Sequence, residues 1–571
     1  MGSLMRALPL LAVSALTFTN LAIAEDQVAA RVRATIEQAM ATRGLGPLTG
    51  PGCAFSVTSA DQLLFAAGYG AANIEHGVPF QPETVSESGS VAKQFMAAAI
   101  LVLAEQGRLS LSDDIRKYLP EMPDYGETIR IHHLIHQTSG IREWSALAAL
   151  RGYPRAYRKI YTLNELLELV AAQRALNFSP GTRYEYSNSN YGLLTVILER
   201  VSGMSTQDFS EKHLFSPLGM RATQWRDNHR RLVPRRATAY RRTANGFEQA
   251  MPLEDVYGHG ALLTTVADLQ RWNHALLNGK LSPFVTQQLS EPGKLRNGEQ
   301  RDYGGGLRLD AYRGHAAYRH AGNTAGYNAQ LWAFPKERIS IAFLCNASPG
   351  ESGELAASIA DAALGLKPTP HAEPGRSAAH GAPAAMTPTY FYSTSGEIVA
   401  IKSHGKRTFV HPFTRSGFIE MTPRESSDVM TANLPNYGAL ELRFVDRDHV
   451  EVSLEKREAT SFARMPTLLA SIAIEGRYES RDLDAVYEIK RRGDEYRMVL
   501  ADRHADPIDF RLERLNGDVY LARAETKGGY LRDDVVVTFT RNGFTISAVA
   551  GLQGVDLLAF TRTTAVACPS E

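Results

Sequence analysis

The sequence predicts a mixed α/β (α+β) fold followed by mainly β domains. Three observations support this prediction. Helical and strand-like segments alternate before residue 366, a stretch rich in Pro, Ala and Gly follows, and helical periodicity nearly vanishes beyond it. The chain has 571 residues, too many for one core when a domain averages roughly 150. Apolar residues make up 44% and charged residues 22%, as in ordinary globular domains, so disorder, collagen and coiled coil are poor alternatives.

The net charge and the cysteine content indicate which partners and which kinds of site the protein is expected to have. The net charge is only +1, so no overall field attracts nucleic acid or an anionic membrane surface. We therefore predict a small-molecule or peptide substrate and no nucleic acid, and the oligomeric state stays open. Cys53, Cys345 and Cys568 are too few and too far apart for a disulfide framework or a cysteine-based zinc site, although one pair is possible. We expect no cofactor.

Residues 1–24 are predicted to be a signal peptide. One charge, Arg6, precedes an apolar run over residues 7–18, and the small residues Ala22 and Ala24 fit a signal-peptidase site. An uncleaved membrane anchor is the alternative, but the apolar run is shorter than the roughly 20 residues that a span needs. No later run in the sequence approaches that length. We therefore expect a periplasmic or secreted protein with no stable membrane span after signal cleavage.

The segment 25–366, called the N-terminal domain below, is predicted to hold the α+β fold. Two apolar runs around a polar break, 53–57 and 63–67, predict a β-hairpin. Residues 90–105 carry one charge, Lys93, before their last residue, which predicts a helix buried on nearly all sides. Helical periodicity also covers 164–173 and 191–201. Alternating runs predict consecutive antiparallel strands at 307–310, 316–320, 325–334 and 338–346.

A linker and two β domains are predicted after the N-terminal domain. Pro, Ala and Gly dominate residues 367–387, which indicates a linker. Short strand-like runs separated by turn sequences then continue to the end of the chain. The pattern restarts at Gly476-Arg477-Tyr478, which divides this region into β domains at 388–467 and 468–571. We expect these β domains to fold independently of the N-terminal domain.

The segment Gly89-Ser90-Val91-Ala92-Lys93 offers a nucleophile and a base. A reactive serine needs a turn that presents its hydroxyl, a proton acceptor within about 3 Å, and donors for an oxyanion. With Ser90 at a helix start and Lys93 one turn later, both side chains share a face of the helix. To act as a base near neutral pH, Lys93 needs a pKa lowered from about 10.4 to about 7, which burial favours. The same spacing recurs at Ser403–Lys406 and Ser453–Lys456, but in strand-like sequence.

Two further segments could join this pair in a site. Tyr184 to Tyr191 is a polar stretch just before a predicted helix, where Tyr186 can face a cleft and Asn188 can orient a substrate amide. The segment His320-Ala321-Gly322-Asn323 ends a predicted strand, and its glycine allows a substrate backbone to lie close. Singly, an ordinary loop tyrosine and a hydrogen-bonded strand histidine explain these residues. Their order and spacing together favour a catalytic site.

On these motifs, residues 27–366 resemble the serine β-lactamase and penicillin-binding-protein superfamily, and within it the class C β-lactamase-like hydrolases. The resemblance also includes Gly70 to Glu75, Gly107 to Asp114, His133 to Gly140, and Gly258 to Leu262 with Asp268-Leu269. It implies an antiparallel sheet with flanking helices and a helical subdomain. It also implies that Ser90 is the acylated nucleophile, that Lys93 and Tyr186 share the general base and acid work, and that Asn188 contacts the substrate amide. The backbone amides of Ser90 and Asn323 would form the oxyanion hole.

One departure from the superfamily pattern bears on the substrate. Many β-lactamases carry Lys-Thr-Gly on the edge strand, where this chain has His320-Ala321-Gly322. A neutral imidazole lacks the fixed positive charge that lysine offers a substrate carboxylate. His-x-Gly is typical of D-aminopeptidases and esterases of the superfamily, and similar D-aminopeptidases carry two C-terminal antiparallel barrels. The resemblance therefore implies barrel-like C-terminal domains, the last one lipocalin-like.

The predicted function is a secreted serine hydrolase that acts through an acyl-enzyme on Ser90, on peptide-like amides or esters, in the manner of a D-aminopeptidase or esterase. A β-lactamase or D-Ala-D-Ala carboxypeptidase is one alternative. A catalytically weak binding protein for cell-wall peptides is another. The substrate itself is not determined by the sequence.

Three competing interpretations are weaker. His132, His133 and His136 have a zinc-like helical spacing, but no carboxylate ligand accompanies them, so we predict no metal site. Seven arginines lie between Arg226 and Arg242, and a solvated face explains them better than nucleic acid or lipopolysaccharide. No Gly-x-Ser-x-Gly elbow surrounds Ser90, which argues against an α/β-hydrolase.

Overall fold

A computed structural model gives the fold of most of the chain. The described residues are 10–43, 48–60, 62–153, 159–348, 352–368, 389–393, 398–404, 407–411, 419–424, 428–434, 438–454, 459–465, 473–501, 508–524, 535–548 and 558–563. Residues 1–9 of the predicted signal peptide, most of the predicted linker and Cys568 lie outside the described residues.

A six-stranded antiparallel sheet forms the centre of the N-terminal domain. In spatial order its strands are Arg308–Tyr312, His315–Thr324, Tyr327–Phe334, Ile339–Cys345, Cys53–Ser59 and Gln62–Tyr69. The predicted hairpin and the four predicted consecutive strands are thus confirmed, with small differences at their ends. Cys53 and Cys345 lie directly opposite each other on paired strands and form a disulfide, so one of the possible cysteine pairs is present.

Helices surround this sheet. They are α1 (Leu10–Thr42), α2 (Lys93–Glu105), α3 (Ile131–Ile135), α4 (Trp144–Leu150), α5 (Leu163–Ala171), α6 (Asn188–Ser202), α7 (Thr206–Ser210), α8 (Ser216–Leu218), α9 (Val266–Leu277), α10 (Pro283–Leu289) and α11 (Ser352–Leu364). The short helical turns are 3₁₀ at Gly89–Ala92 and Ile115–Lys117, and π-helical at Glu211–Phe215. The short strands are Ala71–Asn73, Val78–Pro79, Ser86–Glu87, Gln224–Trp225, Tyr240–Thr243, Gly246–Gln249, Leu262–Thr264, Gly293–Lys294 and Gln300–Arg301.

Local sequence explains several helix ends. A reciprocal capping box between Thr162 and Glu165 starts α5, because each side chain accepts a backbone N–H that the helix leaves unpaired. Gly203 ends α6 in a left-handed conformation with φ of 67°. α6 begins at Asn188, earlier than the periodicity predicted, so its first turn carries a predicted site residue.

Both faces of the sheet are covered, which explains why the strands Tyr327–Phe334 and Ile339–Cys345 are buried along their whole length. α1 and α11 pack on one face, together with Phe55 and Phe343. α2, α6 and α9 belong to the apolar cluster on the other face. α2 is buried on nearly all sides, as predicted. Among the described residues, no helix combines the length and apolar character needed to cross a membrane.

Two closed eight-stranded barrels follow the N-terminal domain. The strands of the first are Thr389–Tyr392, Ile398–His404, Arg407–His411, Ile419–Pro423, Val429–Leu434, Gly438–Phe444, His449–Leu454 and Thr460–Arg464. Those of the second are Gly476–Ser480, Ala485–Arg492, Glu495–Leu500, Asp509–Asn516, Val519–Ala524, Val535–Thr540, Gly543–Ala548 and Leu558–Thr563. The predicted fold class, a mixed α/β domain followed by barrel-like β domains, is confirmed. The predicted domain limits stay predictions.

The second barrel shares an apolar cluster with the N-terminal domain, which argues against the expected independent folding, although that expectation stays a prediction. Its buried side chains, among them Leu483 and Tyr487, belong to the same continuous apolar cluster as α2, α4 and α6. The Tyr487 hydroxyl donates a hydrogen bond of 2.6 Å to the carbonyl of Leu150 at the end of α4. The first barrel has its own core cluster. Periodicity within a strand shows which residues are buried, but not which domain covers them.

The arginine-rich segment is not simply a solvated face, and the prediction is wrong for two of its members. Arg226 is 1% exposed and pairs with Glu87 at 2.8 Å and with Glu254 at 3.7 Å. Arg236 also lies 3.7 Å from Glu87. Glu87 is fully buried just before the Ser90 turn, so it needs cationic partners.

Candidate active site

The Ser90 side chain is presented by a turn that two close backbone approaches hold in place. The strand Ser86–Glu87 leads into the Gly89–Ala92 turn, and Gly89 has a φ of +52°, which a glycine adopts without strain. The strand His315–Thr324 packs against this turn. A Cβ added at Gly322 would lie 1.9 Å from the carbonyl oxygen of Ser88, so only a glycine fits there.

Lys93 lies one turn after Ser90, at the start of α2, and is fully buried. Its Nζ donates hydrogen bonds to Ser90 Oγ at 3.1 Å, to Asn188 Oδ1 at 2.8 Å and to the carbonyl oxygen of His259 at 2.6 Å. Nζ also lies 4.7 Å from the ring centre of Tyr186. The predicted nucleophile and base are thus in direct contact.

Tyr186 completes the contacts of the nucleophile. Its hydroxyl interacts with the Ser90 side chain, and burial raises the pKa of the phenol well above its usual value, while the hydrogen bond with Ser90 acts in the opposite direction. Such a phenol stays protonated near neutral pH. This favours Tyr186 as a proton donor, and it leaves Lys93 as the better candidate for the base.

Asn188 begins α6 and faces Lys93 through its carbonyl oxygen. Its amide Nδ2 donates to Glu143 Oε1 at 3.2 Å, and its backbone N–H donates to Glu143 Oε2 at 2.5 Å. A carboxylate only accepts hydrogen bonds, so Glu143 selects the amide orientation in which Oδ1 points toward Lys93. Glu143 was not predicted from the sequence. The one sequence signal for this residue is its position directly after the segment Gly140-Ile141-Arg142.

His320 lies on the edge side of the site, nearly buried, with its ring centre 6.2 Å from that of Tyr186. Its Nδ1 is 2.6 Å from the carbonyl oxygen of Ala321, which fixes the proton on Nδ1, and Nε2 then accepts from the Tyr303 hydroxyl at 3.1 Å. Burial, and after it repulsion by the protonated form of the nearby Lys93, lower the pKa of His320 to about 3. The imidazole is therefore neutral at working pH. Tyr303 was not predicted.

The backbone nitrogens of Ser90 and Asn323 lie close to the contact between the nucleophile turn and the strand His315–Thr324. A Cβ added at Gly322 would approach the Ser90 nitrogen to 3.1 Å, and one added at Gly89 would approach the Asn323 nitrogen to 2.7 Å. Asn328 Nδ2 donates a hydrogen bond to Asn323 Oδ1, which holds the end of this strand. Both predicted oxyanion donors thus lie at this contact, and their role in binding an oxyanion stays a prediction.

The predicted site residues therefore gather in one place, although their catalytic roles stay predictions. Ser90, Lys93, Tyr186 and Asn188 form a contact network, and His320, Gly322 and Asn323 line its edge along one strand. The copies of the Ser-x-x-Lys spacing begin at Ser403 and Ser453, which lie in strands of the first barrel.

His132 and His133, two of the three histidines at zinc-like spacing, contact the backbone. Arg130 N donates to His133 Nδ1, and His132 Nδ1 contacts the carbonyl oxygen of Leu111. Burial lowers the pKa of His136 to about 4. Within the part of the chain that the structure describes, no group of three or more His, Cys, Asp and Glu side chains is arranged to hold a metal ion.

Comparisons with known proteins identify the family of the chain. The family model described as Beta-lactamase matches residues 32–365. A D-aminopeptidase of Gluconobacter oxydans (strain 621H) is 28% identical over 374 residues, which cover 65% of this chain and 68% of that protein. A D-aminopeptidase of Brucella ovis (strain ATCC 25840 / 63/290 / NCTC 10512) is 25% identical over 449 residues, covering 76% and 80%.

Solved structures show the same fold. The octameric penicillin-binding protein homologue from Pyrococcus abyssi superposes with a TM-score of 0.53 at 22% identity, covering 76% of this chain and 99% of that one. The family match spans more than half of the chain and includes every residue of the candidate site. The chain thus belongs to the beta-lactamase family, and it is a serine hydrolase of the β-lactamase and penicillin-binding-protein type.

Proposed function

We propose that this protein hydrolyses peptide-like amides or esters through an acyl-enzyme on Ser90, in the manner of a D-aminopeptidase or esterase. The observation that carries the proposal is the contact of Lys93 Nζ with Ser90 Oγ at 3.1 Å, with two further acceptors fixing Nζ. As a neutral amine, Lys93 can donate to Asn188 and His259 and turn its lone pair toward the Ser90 hydroxyl. An intact pair of this kind favours an enzyme over a degenerate binding protein.

The geometry supports a two-step reaction. Lys93 takes the Ser90 proton while Oγ forms a bond to the substrate carbonyl carbon, and the oxyanion accepts hydrogen bonds from the Ser90 and Asn323 amides. The bond to the leaving amine or alkoxide then breaks, and Tyr186 supplies the proton, which Lys93 replaces. Water repeats the sequence on the acyl-enzyme and releases the acid and free Ser90.

The substrate class follows from His320 and from the relatives. A neutral His320 whose Nε2 accepts from Tyr303 offers no positive charge to a substrate carboxylate. We therefore expect substrates without a carboxylate beside the scissile bond, such as D-amino-acid amides, peptides cleaved at the amino end, or short esters. The relatives from Gluconobacter oxydans and Brucella ovis, both D-aminopeptidases, support the first two. His320 itself does not supply the positive charge that the carboxylate of a β-lactam or of D-Ala-D-Ala would meet.

A periplasmic or secreted location remains part of the proposal. The Cys53–Cys345 disulfide supports it, because such bonds persist mainly in oxidising compartments.

The test combines active-site labelling with a substrate panel. A fluorophosphonate probe should label wild-type protein once, at Ser90 by mass spectrometry, and should not label Ser90→Ala. Hydrolysis of D-alanine amide, of its L enantiomer, of a short ester and of nitrocefin then ranks the substrate classes. Stoichiometric labelling of Ser90→Ala at another serine would contradict the mechanism, and nitrocefin turnover far above every amide and ester would contradict the substrate class.

A further inference from the structure

The segment Arg142–Trp144, which leads into α4, holds the start of α6, where Asn188 lies. Besides its two bonds to Asn188, the Glu143 carboxylate accepts from the Ser187 hydroxyl at 3.1 Å. The Ser189 hydroxyl donates to the Arg142 carbonyl at 2.7 Å and accepts from Trp144 N–H at 2.8 Å. The position of the Asn188 amide, and through it the hydrogen bond to Lys93, therefore depends on where this segment lies.

The second barrel contacts the same segment from the other side. Asp482 lies between the first two strands of that barrel, and its Oδ2 accepts from Arg142 Nη1 at 3.2 Å. Gln173 joins this contact, since its Oε1 accepts from Arg142 at 3.0 Å and its Nε2 donates to the Asp482 carbonyl at 2.8 Å. The Arg142 and Asp482 side chains are 2% and 16% exposed, so water screens the pair poorly.

We propose that Asp482 of the second barrel and Glu143 are positioning residues for the reaction on Ser90, acting through the connection Asp482–Arg142–Glu143–Asn188–Lys93. This inference rests on the proposed function. Asp482 and Gln173 both accept hydrogen bonds from the Arg142 guanidinium, and this fixes the segment that carries Glu143. Without Asp482, the buried Arg142 cation loses its carboxylate partner, and the segment is expected to shift and to carry the Glu143 carboxylate away from Asn188. The Asn188 amide could then rotate so that Nδ2 faces Lys93 Nζ. Two hydrogen-bond donors would then face each other.

A double-mutant cycle on the full-length protein tests this connection. The rate of fluorophosphonate labelling of Ser90 is measured for wild type, Glu143→Gln, Asp482→Asn and the double variant, with the melting temperature of each as a folding check. Each single variant should label roughly 10- to 100-fold more slowly, the scale of a displaced catalytic group. The double variant should be no slower than the slower single variant, because both changes release the same amide.

Asp484→Asn is the matched control. Asp484 lies in the same turn and pairs with Arg151 at 3.0 Å, but its side chain is 88% exposed. This variant should label within about twofold of wild type, since exposed ion pairs contribute little. Asp482→Glu, which restores the charge, should recover much of the rate. If Asp482→Asn does not fold, Asp482→Ser replaces it in the cycle with the same expectation.

Each outcome decides a different point. A wild-type protein that does not label refutes the proposed function. Labelling at the wild-type rate in Asp482→Asn, equal losses in Asp482→Asn and Asp484→Asn, or penalties that multiply in the double variant would overturn the positioning role while leaving Ser90 as nucleophile.

Discussion

At the scale of single residues, the site depends on which partner each polar group faces. Lys93 is buried, and the hydroxyl, side-chain amide and backbone carbonyl oxygens that accept hydrogen bonds from its Nζ are uncharged. Such surroundings stabilise an ammonium less than a carboxylate would. His320 is fixed in one tautomer by Ala321 and Tyr303, so it contributes shape rather than charge.

Replacing Lys93 by arginine should abolish the reaction almost as completely as replacing it by alanine. A guanidinium keeps its proton at any working pH and cannot accept the Ser90 proton. We expect both Lys93→Arg and Lys93→Ala to label with a fluorophosphonate about 10²- to 10⁴-fold more slowly than wild type. Ser403→Ala, in a barrel copy of the motif, is the control and should label normally. Near-normal labelling of Lys93→Arg would remove Lys93 from the role of base.

Replacing His320 by lysine should shift selectivity toward substrates that carry a carboxylate. One charge-assisted hydrogen bond corresponds to a change of roughly 5- to 30-fold in relative kcat/KM. The measurement compares kcat/KM for nitrocefin and for D-alanine amide in wild type and in His320→Lys, with melting temperatures to confirm folding. A ratio that does not move would show that another group meets the substrate carboxylate.

The pH dependence of the wild-type enzyme should not contain a His320 step between pH 5 and pH 8. The folded pKa of about 3 is below the ordinary value near 6.5, so the neutral imidazole is present throughout this range. Lowering the pH from 8 to 5 favours the unfolded state, which binds a proton that folded His320 refuses. His320→Gln should therefore keep the shape of the kcat/KM profile and lose less stability as the pH falls from 7 to 5. An activity step near pH 6.5 that wild type shows and His320→Gln lacks would contradict a neutral His320.

At the scale of elements, close backbone packing aligns the site. The strand His315–Thr324 lies so near the Gly89–Ala92 turn that glycine is required on both sides, at Gly322 and Gly89. This contact places the Asn323 amide beside Ser90. The buried group of Glu87, Arg226 and Glu254 lies directly before that turn and ties its entry to the segments around residues 226 and 254.

Gly322→Ala should therefore disable the site through the backbone. The added methyl would meet the Ser88 carbonyl oxygen at 1.9 Å, so strand and turn must separate and the oxyanion donors lose their alignment. We expect a loss of about 10²-fold or more in Ser90 labelling, comparable to removal of an oxyanion donor. Gly353→Ala in α11, where nothing lies within 4 Å, is the control and should label normally. Equal labelling of the two variants would show that this contact is not required.

At the scale of the whole molecule, the two domains that share an apolar core are not neighbours in the sequence. The second barrel shares its apolar cluster with the N-terminal domain, while the first barrel, which precedes it in sequence, has a cluster of its own. A smaller cluster, which includes Ala400 and Leu521, connects the two barrels. The N-terminal domain therefore packs against the domain that is most distant from it in the sequence.

Calorimetry should show this arrangement directly. We expect the N-terminal domain and the second barrel to unfold in one transition and the first barrel in another. Tyr487→Phe removes the bond to Leu150 and should lower the stability of the shared transition by about 1 kcal/mol. Tyr478→Phe is the comparison variant, because the Tyr478 hydroxyl donates its hydrogen bond to the carbonyl of Ile474 and not to the N-terminal domain. An N-terminal domain that melts separately, unchanged by Tyr487→Phe, would contradict a shared core.

The sequence by itself determined the features that short-range geometry controls. The Ser90–Lys93 spacing, the glycines beside it, the alternating strands and the change to β structure after residue 366 all depend on neighbours a few residues apart. Tertiary structure decided what distant segments do to one another. Glu143 and Tyr303 join the site, Cys53 meets Cys345, Arg226 is buried, and Asp482 reaches Arg142 across 340 residues. Local pattern records that a side chain is polar or apolar, whereas its partner is set by packing, which minimises unpaired buried groups over the whole chain.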